Sequence, residues 1–344
     1  MNDERKLATI RTIANLEPIP NADLIEVATI DGWRVVVKKG DFKIGDRCVY
    51  CEIDSILPAE PEFEFLAPRH YRIKTIKLRG QLSQGICFPI SILDGYKYGT
   101  DTRESPVYSI DEGTDVTRLL KITKYEPYMP ESLSGLAKGI LPPSIPKTDE
   151  ERIQNIPSVL QRHKNRLMYI TEKLNGTSMT VYYTDEFGVC SRRLDLKETE
   201  DNAYWRMARI ANLEEKLKSV GTPIAIQGEL IGHGIQKNPY KLSQGDLQFR
   251  LFNVFDINRG QYFLFDALKS FAVAYDIPMV PVLDEEFELD HDVDALLQLA
   301  EGKSTLALVE REGIVFRSLD FVYDQDIGRL SFKAISNKYL LSEK

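Results

Sequence analysis

Leu167-Met168-Tyr169-Ile170-Thr171-Glu172-Lys173-Leu174-Asn175-Gly176 is followed by Ser178-Met179-Thr180-Val181-Tyr182-Tyr183. Two apolar, β-prone runs on either side of Asn-Gly predict a strand, a tight loop and a second strand, with Lys173 carried at the lip of the loop. Lys-x-x-Gly by itself is common, and a solvated surface ammonium is the simplest reading of such a lysine. That reading weakens because further segments follow in a fixed order. They are Ser191-Arg192-Arg193, Gln227-Gly228-Glu229-Leu230, Leu251-Phe252-Asn253-Val254-Phe255-Asp256-Ile257, Glu312-Gly313-Ile314-Val315-Phe316-Arg317 and Ser331-Phe332-Lys333-Ala334.

This series resembles the collinear motifs of the covalent nucleotidyltransferases, the superfamily of polynucleotide ligases and mRNA capping enzymes. Glu172-Lys173-Leu174-Asn175-Gly176 resembles the motif of the lysine nucleophile, and the run from Gly228 to Asn238 resembles its RNA ligase branch. The resemblance implies that Lys173 attacks the α-phosphate of ATP, that Glu172 reads the adenine amino group, and that Asn175 and Gly176 help bind the nucleotide. Arg192 is expected at the nucleotide sugar or an RNA 5′-phosphate, Phe252 and Val315 on the two faces of the base, and Lys333 at the α-phosphate. Glu229 and Glu312 match the motif carboxylates, one expected at the ribose and both able to hold Mg²⁺ or Mn²⁺ directly or through water. The implied cofactors are thus ATP and a divalent cation. Two departures stand out: Ile335 occupies the place of a second motif lysine, leaving Lys338 or Arg317 to supply that charge, and Asn175 replaces the Asp common in DNA ligases.

Taken singly, Phe252 and Val315 would pass as core residues, and Phe255 reads as one. Glu229 and Glu312 sit in apolar contexts where an unpaired carboxylate is costly, which favours a role for both. A lysine amine is nucleophilic only when neutral, so burial and nearby cations are expected to depress the pKa of Lys173 from its usual value of about 10.4.

Length and charge fit this picture. The chain has 344 residues and a formal net charge of -8, enough for two domains with separate cores and too acidic for a general, charge-driven nucleic-acid binder. A local basic groove remains compatible with that charge. Cys48, Cys51, Cys87 and Cys190 form no disulfide framework, and Cys48-Val49-Tyr50-Cys51 reads as two strand cysteines rather than a metal or redox site. No apolar run reaches the length of a membrane span, and no signal-peptide pattern opens the chain. An intracellular protein, cytoplasmic or nuclear, acting as a monomer, is the expectation.

The first hundred residues alternate short strands with turns: Leu7–Ile13, Leu24–Ile30, Trp33–Val37 and Arg47–Ile53, punctuated by Asp31-Gly32, Lys39-Gly40 and Gly45-Asp46. This predicts a small β-barrel. Pro20-Asn21-Ala22-Asp23 and Gln84-Gly85-Ile86-Cys87-Phe88 are similar to oligonucleotide-binding (OB) barrels. Around Tyr71, Arg69, Arg72, Lys74, Lys77 and Arg79 suit either nucleic-acid contact or a solvated strand face. A role for the barrel in placing pyrophosphate or a second metal would draw on Asp54 and the Asp101 region.

Thr114–Leu120 predicts a short helix closing the barrel. The proline-rich stretch 124–146 reads as a linker or long loop. Thr148–Asn155 has a helix-start composition, and related ligases place a similar segment before the nucleophile strand, with Lys147 and Gln154 then facing the nucleotide. Tyr204–Val220 and Leu268–Tyr275 carry helical apolar stripes, while Asp149–Glu151 and Asp284–Asp292 read as solvated faces or loops.

The expected architecture is α+β: an OB-like barrel in residues 1–123, then, in residues 147–344, a nucleotidyltransferase domain of antiparallel sheets flanked by helices. This barrel-first order resembles the RNA ligase family typified by the Deinococcus and Naegleria enzymes. The implied substrate is RNA, or a nicked RNA-containing duplex, with 3′-OH and 5′-phosphate ends. Two rivals are a capping-type guanylyltransferase and an inactive RNA-binding protein.

Overall fold

A computed structural model describes residues 6–96, 110–125 and 135–342, and the chain divides into two compact units, one within residues 1–128 and the other within residues 129–343.

In the first unit, β1 (Ala8–Thr12), β5 (Arg47–Cys51) and β9 (Ile86–Pro89) form one sheet, while β2 (Asn15–Pro18), β3 (Ile25–Ile30) and β4 (Trp33–Lys38) form another. Two short pairs complete it, β6 (Ser55–Ile56) with β10 (Thr123–Lys124) and β7 (Ile76–Leu78) with β8 (Gln81–Ser83). Ile10, Ile30, Trp33, Val35, Val49 and Tyr50 share one core, where Phe63 and Leu120 join them. Cys48 and Cys51 are buried, free strand cysteines, as expected.

The segment expected to close the barrel with a helix is a tight turn, with Leu120 N–H donating to Val116 O and Lys121 N–H to Arg118 O. Asp54 is engaged by Arg72, whose Nη2 donates to its carboxylate at 2.6 Å and whose guanidinium lies 3.3 Å over the Tyr125 ring. The Asp101 region lies outside the described residues.

The second unit has two sheets. The larger runs β11 (Ala137–Ile140), β16 (Leu194–Leu196), β15 (Phe187–Cys190), β14 (Thr177–Tyr183), β17 (Ile224–Gly232), β18 (Leu247–Asp256), β19 (Gln261–Tyr262). The smaller runs β12 (Glu151–Arg152), β24 (Ser331–Ile335), β21 (Gly313–Ser318), β13 (Arg166–Lys173), β20 (Val282–Leu289). A hairpin of β22 (Tyr323–Asp324) and β23 (Gly328–Arg329) interrupts the return from β21 to β24.

Helices α2 (Ala203–Ile210), α3 (Leu213–Lys218) and α4 (Phe265–Ala274) bury Trp205, Leu213, Leu217, Leu268 and Phe271 against the larger sheet. Helices α1 (Ser158–Arg162) and α5 (Val293–Ala300) cover the smaller one with Val159, Leu160, Leu296 and Leu297, and α6 (Asn337–Ser342) follows β24. The stripe predicted as one helix over 204–220 is broken at Asn212, whose φ of 51° is left-handed. Among the described residues no helix is long and apolar enough to cross a membrane.

One expectation fails because of pairing with a neighbour. Thr148–Asn155 does not begin a helix: Glu151 and Arg152 pair in parallel with Phe332 and Lys333, a single 3₁₀ turn follows, and helix starts only at Ser158. The acidic run 284–292 is solvated, as expected: it is mostly β20, which pairs with β13 and leaves Asp284, Glu285, Glu286 and Glu288 exposed.

Candidate active site

The loop Leu174–Gly176 links β13 of the smaller sheet to β14 of the larger, so Lys173 ends the strand that runs up to the junction of the two layers. Gly176 is required there: a Cβ would stand 2.4 Å from Leu230 O and 2.9 Å from Glu229 Cγ. Tyr240 and Tyr339 fix the loop, since Asn175 N–H donates to Tyr240 Oη at 2.7 Å and Asn175 Nδ2 to Tyr339 Oη at 2.8 Å.

A cavity of ≈ 280 Å³ opens at this junction, and Glu172, Lys173, Gly176, Arg192, Glu229, Phe252, Val315 and Lys333 all line it. Glu312 reaches it through the amine, with Lys173 Nζ donating to Glu312 Oε1 at 2.7 Å. Residues scattered over 161 positions of sequence thus converge because β13, β21 and β24 are neighbours, with Lys333 opposite Val315 and Val315 opposite Thr171.

Phe252 owes its place to a β-bulge. Gln227 pairs with Asn253 and Gly228 with Leu251, so Phe252 is the extra residue, turned out of the ladder toward the cavity.

The floor of the cavity is electrostatically loaded. Glu172 is 1% exposed; its Oε2 accepts from both N–H and Oγ1 of Thr305, at 3.0 and 2.9 Å, while its buried Oε1 has no hydrogen-bond partner. Burial pushes the Glu229 carboxyl up to about 7; Lys173 opposes that shift and Glu312 adds to it. Burial also brings Lys333 down to about 8, helped by the charges of Lys173 and Arg152.

Lys173 departs from expectation. Burial and Arg152 work against its charge, but Glu312 and Glu229 outweigh them and hold the amine protonated, above its ordinary range. The expected depression therefore requires something that neutralises the two carboxylates.

Of the two replacement cations considered for Ile335, only Arg317 lines the cavity. It is 3% exposed, donates to Thr171 Oγ1 at 3.1 Å, faces Glu150 Oε1 at 3.4 Å and lies 5.5 Å over the Phe252 ring. Lys338 instead pairs with Glu301 at 2.8 Å on the surface. Arg192 meets Asp149 in an ion pair.

Lys147 and Gln154 do not line the cavity: Lys147 is exposed, and Gln154 is buried behind β12. Between them Thr148, Asp149 and Glu150 line the cavity, and Arg152 is set opposite Lys333 by the β12–β24 pairing. Sequence reasoning missed Arg152, Thr305 and Tyr240. No local pattern marks the last two, whereas the cation amid Asp149-Glu150-Glu151 was a signal.

Comparison with known proteins follows the same lines. A family profile described as an OB-fold domain matches residues 7–90, and one described as RNA ligase matches residues 166–335. A lysine-to-alanine mutant of Naegleria gruberi RNA ligase with ATP and Mn is 39% identical, covers 98% of this chain and 99% of its own, and superposes with a TM-score of 0.81. This chain belongs to the RNA ligase family. The Naegleria RNA ligase with PPi (40% identity, 98% of each chain, TM-score 0.80) is a further match. So is its glutamate-to-alanine mutant with AMP and Mn (39% identity, 98% and 99%, TM-score 0.82). No curated protein matches the chain by sequence. As in the expectation from sequence, this RNA ligase family member carries its OB-fold domain ahead of the sheet-rich nucleotidyltransferase-like domain.

Proposed function

We propose that the protein is an ATP-dependent RNA ligase that joins 3′-OH and 5′-phosphate ends, preferably at nicks, through lysyl-AMP and RNA-adenylate intermediates. The observation that carries this reading is one cavity holding a lysine amine, two carboxylates beside it, and a third carboxylate with a buried oxygen left open.

In the first step the neutral Lys173 Nζ attacks the α-phosphorus of ATP, the bond to the β-phosphate oxygen breaks, and pyrophosphate leaves as the P–N bond forms. The 5′-phosphate of RNA next displaces lysine from that phosphorus, giving an RNA-adenylate. The 3′-OH then attacks the RNA phosphorus, expelling AMP. These are in-line displacements, so positioning and charge stabilisation dominate.

Lys333, Arg152 and Arg317 supply positive charge at the cavity wall, and Arg192 offers a fork for sugar or phosphate oxygens. Phe252 and Val315 sandwich the base. Glu172 Oε1 accepts from the adenine amino group, whereas guanine would present a carbonyl oxygen to it, an acceptor against an acceptor. This argues against the capping-type rival.

The donor set fits a divalent cation. Glu229 and Glu312 are a like-charged pair whose repulsion and burial already raise one of them, and Mg²⁺ or Mn²⁺ needs only one or two carboxylates when phosphates and water complete its shell. Bound there, the cation would remove the negative charge that keeps Lys173 protonated and would neutralise phosphate oxygens. We further read the protein as an intracellular monomer, cytoplasmic or nuclear.

Incubation with ATP and Mg²⁺ or Mn²⁺ should raise the intact mass by one AMP, and Lys173→Ala should remove both adduct and sealing. Labelling by GTP in preference to ATP would favour the guanylyltransferase, and RNA binding without adduct the inactive binder. Sealing assays on nicked duplexes with RNA or DNA on each side test the end and nick preferences.

A further inference from the structure

A second cavity, ≈ 430 Å³, lies in the same unit and is lined by Phe255, Tyr262, Phe263, Phe321, Tyr323 and Arg329, among others. Two of its aromatics stand in solvent: Phe321 is 64% and Tyr323 83% exposed. Tyr323 pairs directly across the hairpin from Arg329. Their chemistry is specific. Arg329 lies with its guanidinium 4.3 Å over the Tyr262 ring and donates through Nη1 to Asn253 Oδ1 at 2.9 Å, and among the described residues no carboxylate pairs with it. Of the nearby acids, Asp320 lines the groove and faces Arg166 at 3.7 Å, Asp324 is taken by Arg162 and His163, and Asp326 by Arg162.

A chain of hydrogen bonds runs from the groove toward the candidate active site. Arg329 holds Asn253, Asn253 Nδ2 donates to Gln227 Oε1 at 3.1 Å, and Gln227 Nε2 donates to the Pro146 carbonyl at 2.7 Å. Asn253 adjoins the bulged Phe252, and Gln227 lies two residues before Glu229 on β17. Glu150 and Arg317, which line the active-site cavity, act electrostatically on the Tyr262 hydroxyl.

We infer that this groove takes an unpaired nucleotide of the RNA strand being joined, the base stacking on Phe321 and Tyr323 and its phosphate meeting Arg329. Flat rings beside an uncompensated guanidinium are what unpaired RNA requires, since every base has a π-face and every linkage a charge. An acidic or apolar protein segment would use only half of that surface. The inference rests on the proposed ligase reading, and it assigns to the groove a strand-holding task separate from the chemistry at Lys173.

The test uses the full chain and a short single-stranded RNA carrying 2-aminopurine, whose fluorescence is quenched on stacking. Wild type should quench it, and F321A/Y323A should lose quenching and weaken RNA affinity on the order of tenfold. The same variant should form the AMP adduct at the wild-type rate, because both rings lie outside the active-site cavity. Arg329→Gln should steepen KM for RNA and flatten the salt dependence of binding, while Arg329→Lys should recover the salt dependence. Normal quenching and affinity in F321A/Y323A, or no quenching by wild type, overturns the groove assignment. Failure of wild type to form the adduct overturns the ligase reading instead, so the two failures are distinguishable.

Discussion

Glu172 shows how far a single side chain can be specified by one neighbour. Thr305 fastens one carboxylate oxygen with two donors, and the other is left buried without a hydrogen-bond partner. Hydrogen bonds to a charged acceptor contribute about 1.5–3 kcal/mol. Thr305→Val keeps the backbone donor and removes the hydroxyl, so it should reduce the preference for ATP over GTP by about tenfold, measured as adduct yield with each nucleotide; an unchanged ratio would exclude the positioning role. Lys333 is the opposite case, a residue whose function costs stability. Its pKa in the fold, about 8, lies below the ordinary lysine value, so the fold bears the cost of its charge below pH 8 and is relieved of it as pH rises toward 10.5. Lys333→Met should therefore melt several degrees higher than wild type at pH 7, with the gain shrinking between pH 8 and 10.5, while adduct formation falls at least a hundredfold. A melting gain independent of pH would contradict this account. At this scale the motif residues were legible because each lies in a short local pattern. Thr305 and Tyr240 were not, since their roles consist of single contacts with residues far away in sequence.

At the level of strands and loops, the site is made by register. The β13–β21–β24 ladder brings Thr171, Val315 and Lys333 into one row, and the bulge in β18 rotates Phe252 into the cavity. The strand–loop–strand around Lys173 could be read from alternation and Asn-Gly, and so could most strands of the barrel. A one-residue bulge and a two-residue parallel strand leave no periodic trace, which is why Phe252 could be assigned only by motif and why Arg152 was passed over as part of a helix start. The loop predicts its own sensitivity. Gly176→Ala places a methyl against Leu230 O and Glu229 Cγ, within 3 Å of both, and the strand β17 behind them has no slack. Overpacking of this kind costs about 1–3 kcal/mol. The variant should melt lower by several degrees and lose adduct formation, as followed by calorimetry and intact mass; wild-type melting would mean that the loop has room.

Across the whole molecule, net charge says little about the site. The chain carries a net charge of -8, yet Lys173, Lys333, Arg317 and Arg192 border one cavity together with Asp149, Glu150, Glu172 and Glu229, and Arg152 acts on its floor. Composition could exclude a charge-driven binder but could not locate this balanced cluster, because a sum of charges has no address. Stability is equally uneven. The cores behind each sheet are thick with apolar contacts, whereas the segment from Thr148 to Arg152, which supplies part of the cavity wall and one of its cations, is joined to the smaller sheet by two rungs of parallel pairing. Sub-global opening begins where the fewest bonds must break. Amides of residues 148–152 should accordingly exchange with deuterium long before those of β13 or β21, and should slow by at least tenfold with ATP present; equal protection throughout the sheet would refute it. That short parallel join then acts as a hinge pin: each time it slips, the pocket loses one of its cations and loosens its hold on whatever nucleotide has not yet reacted, so commitment to catalysis becomes a race between bond formation and the unfastening of two residues.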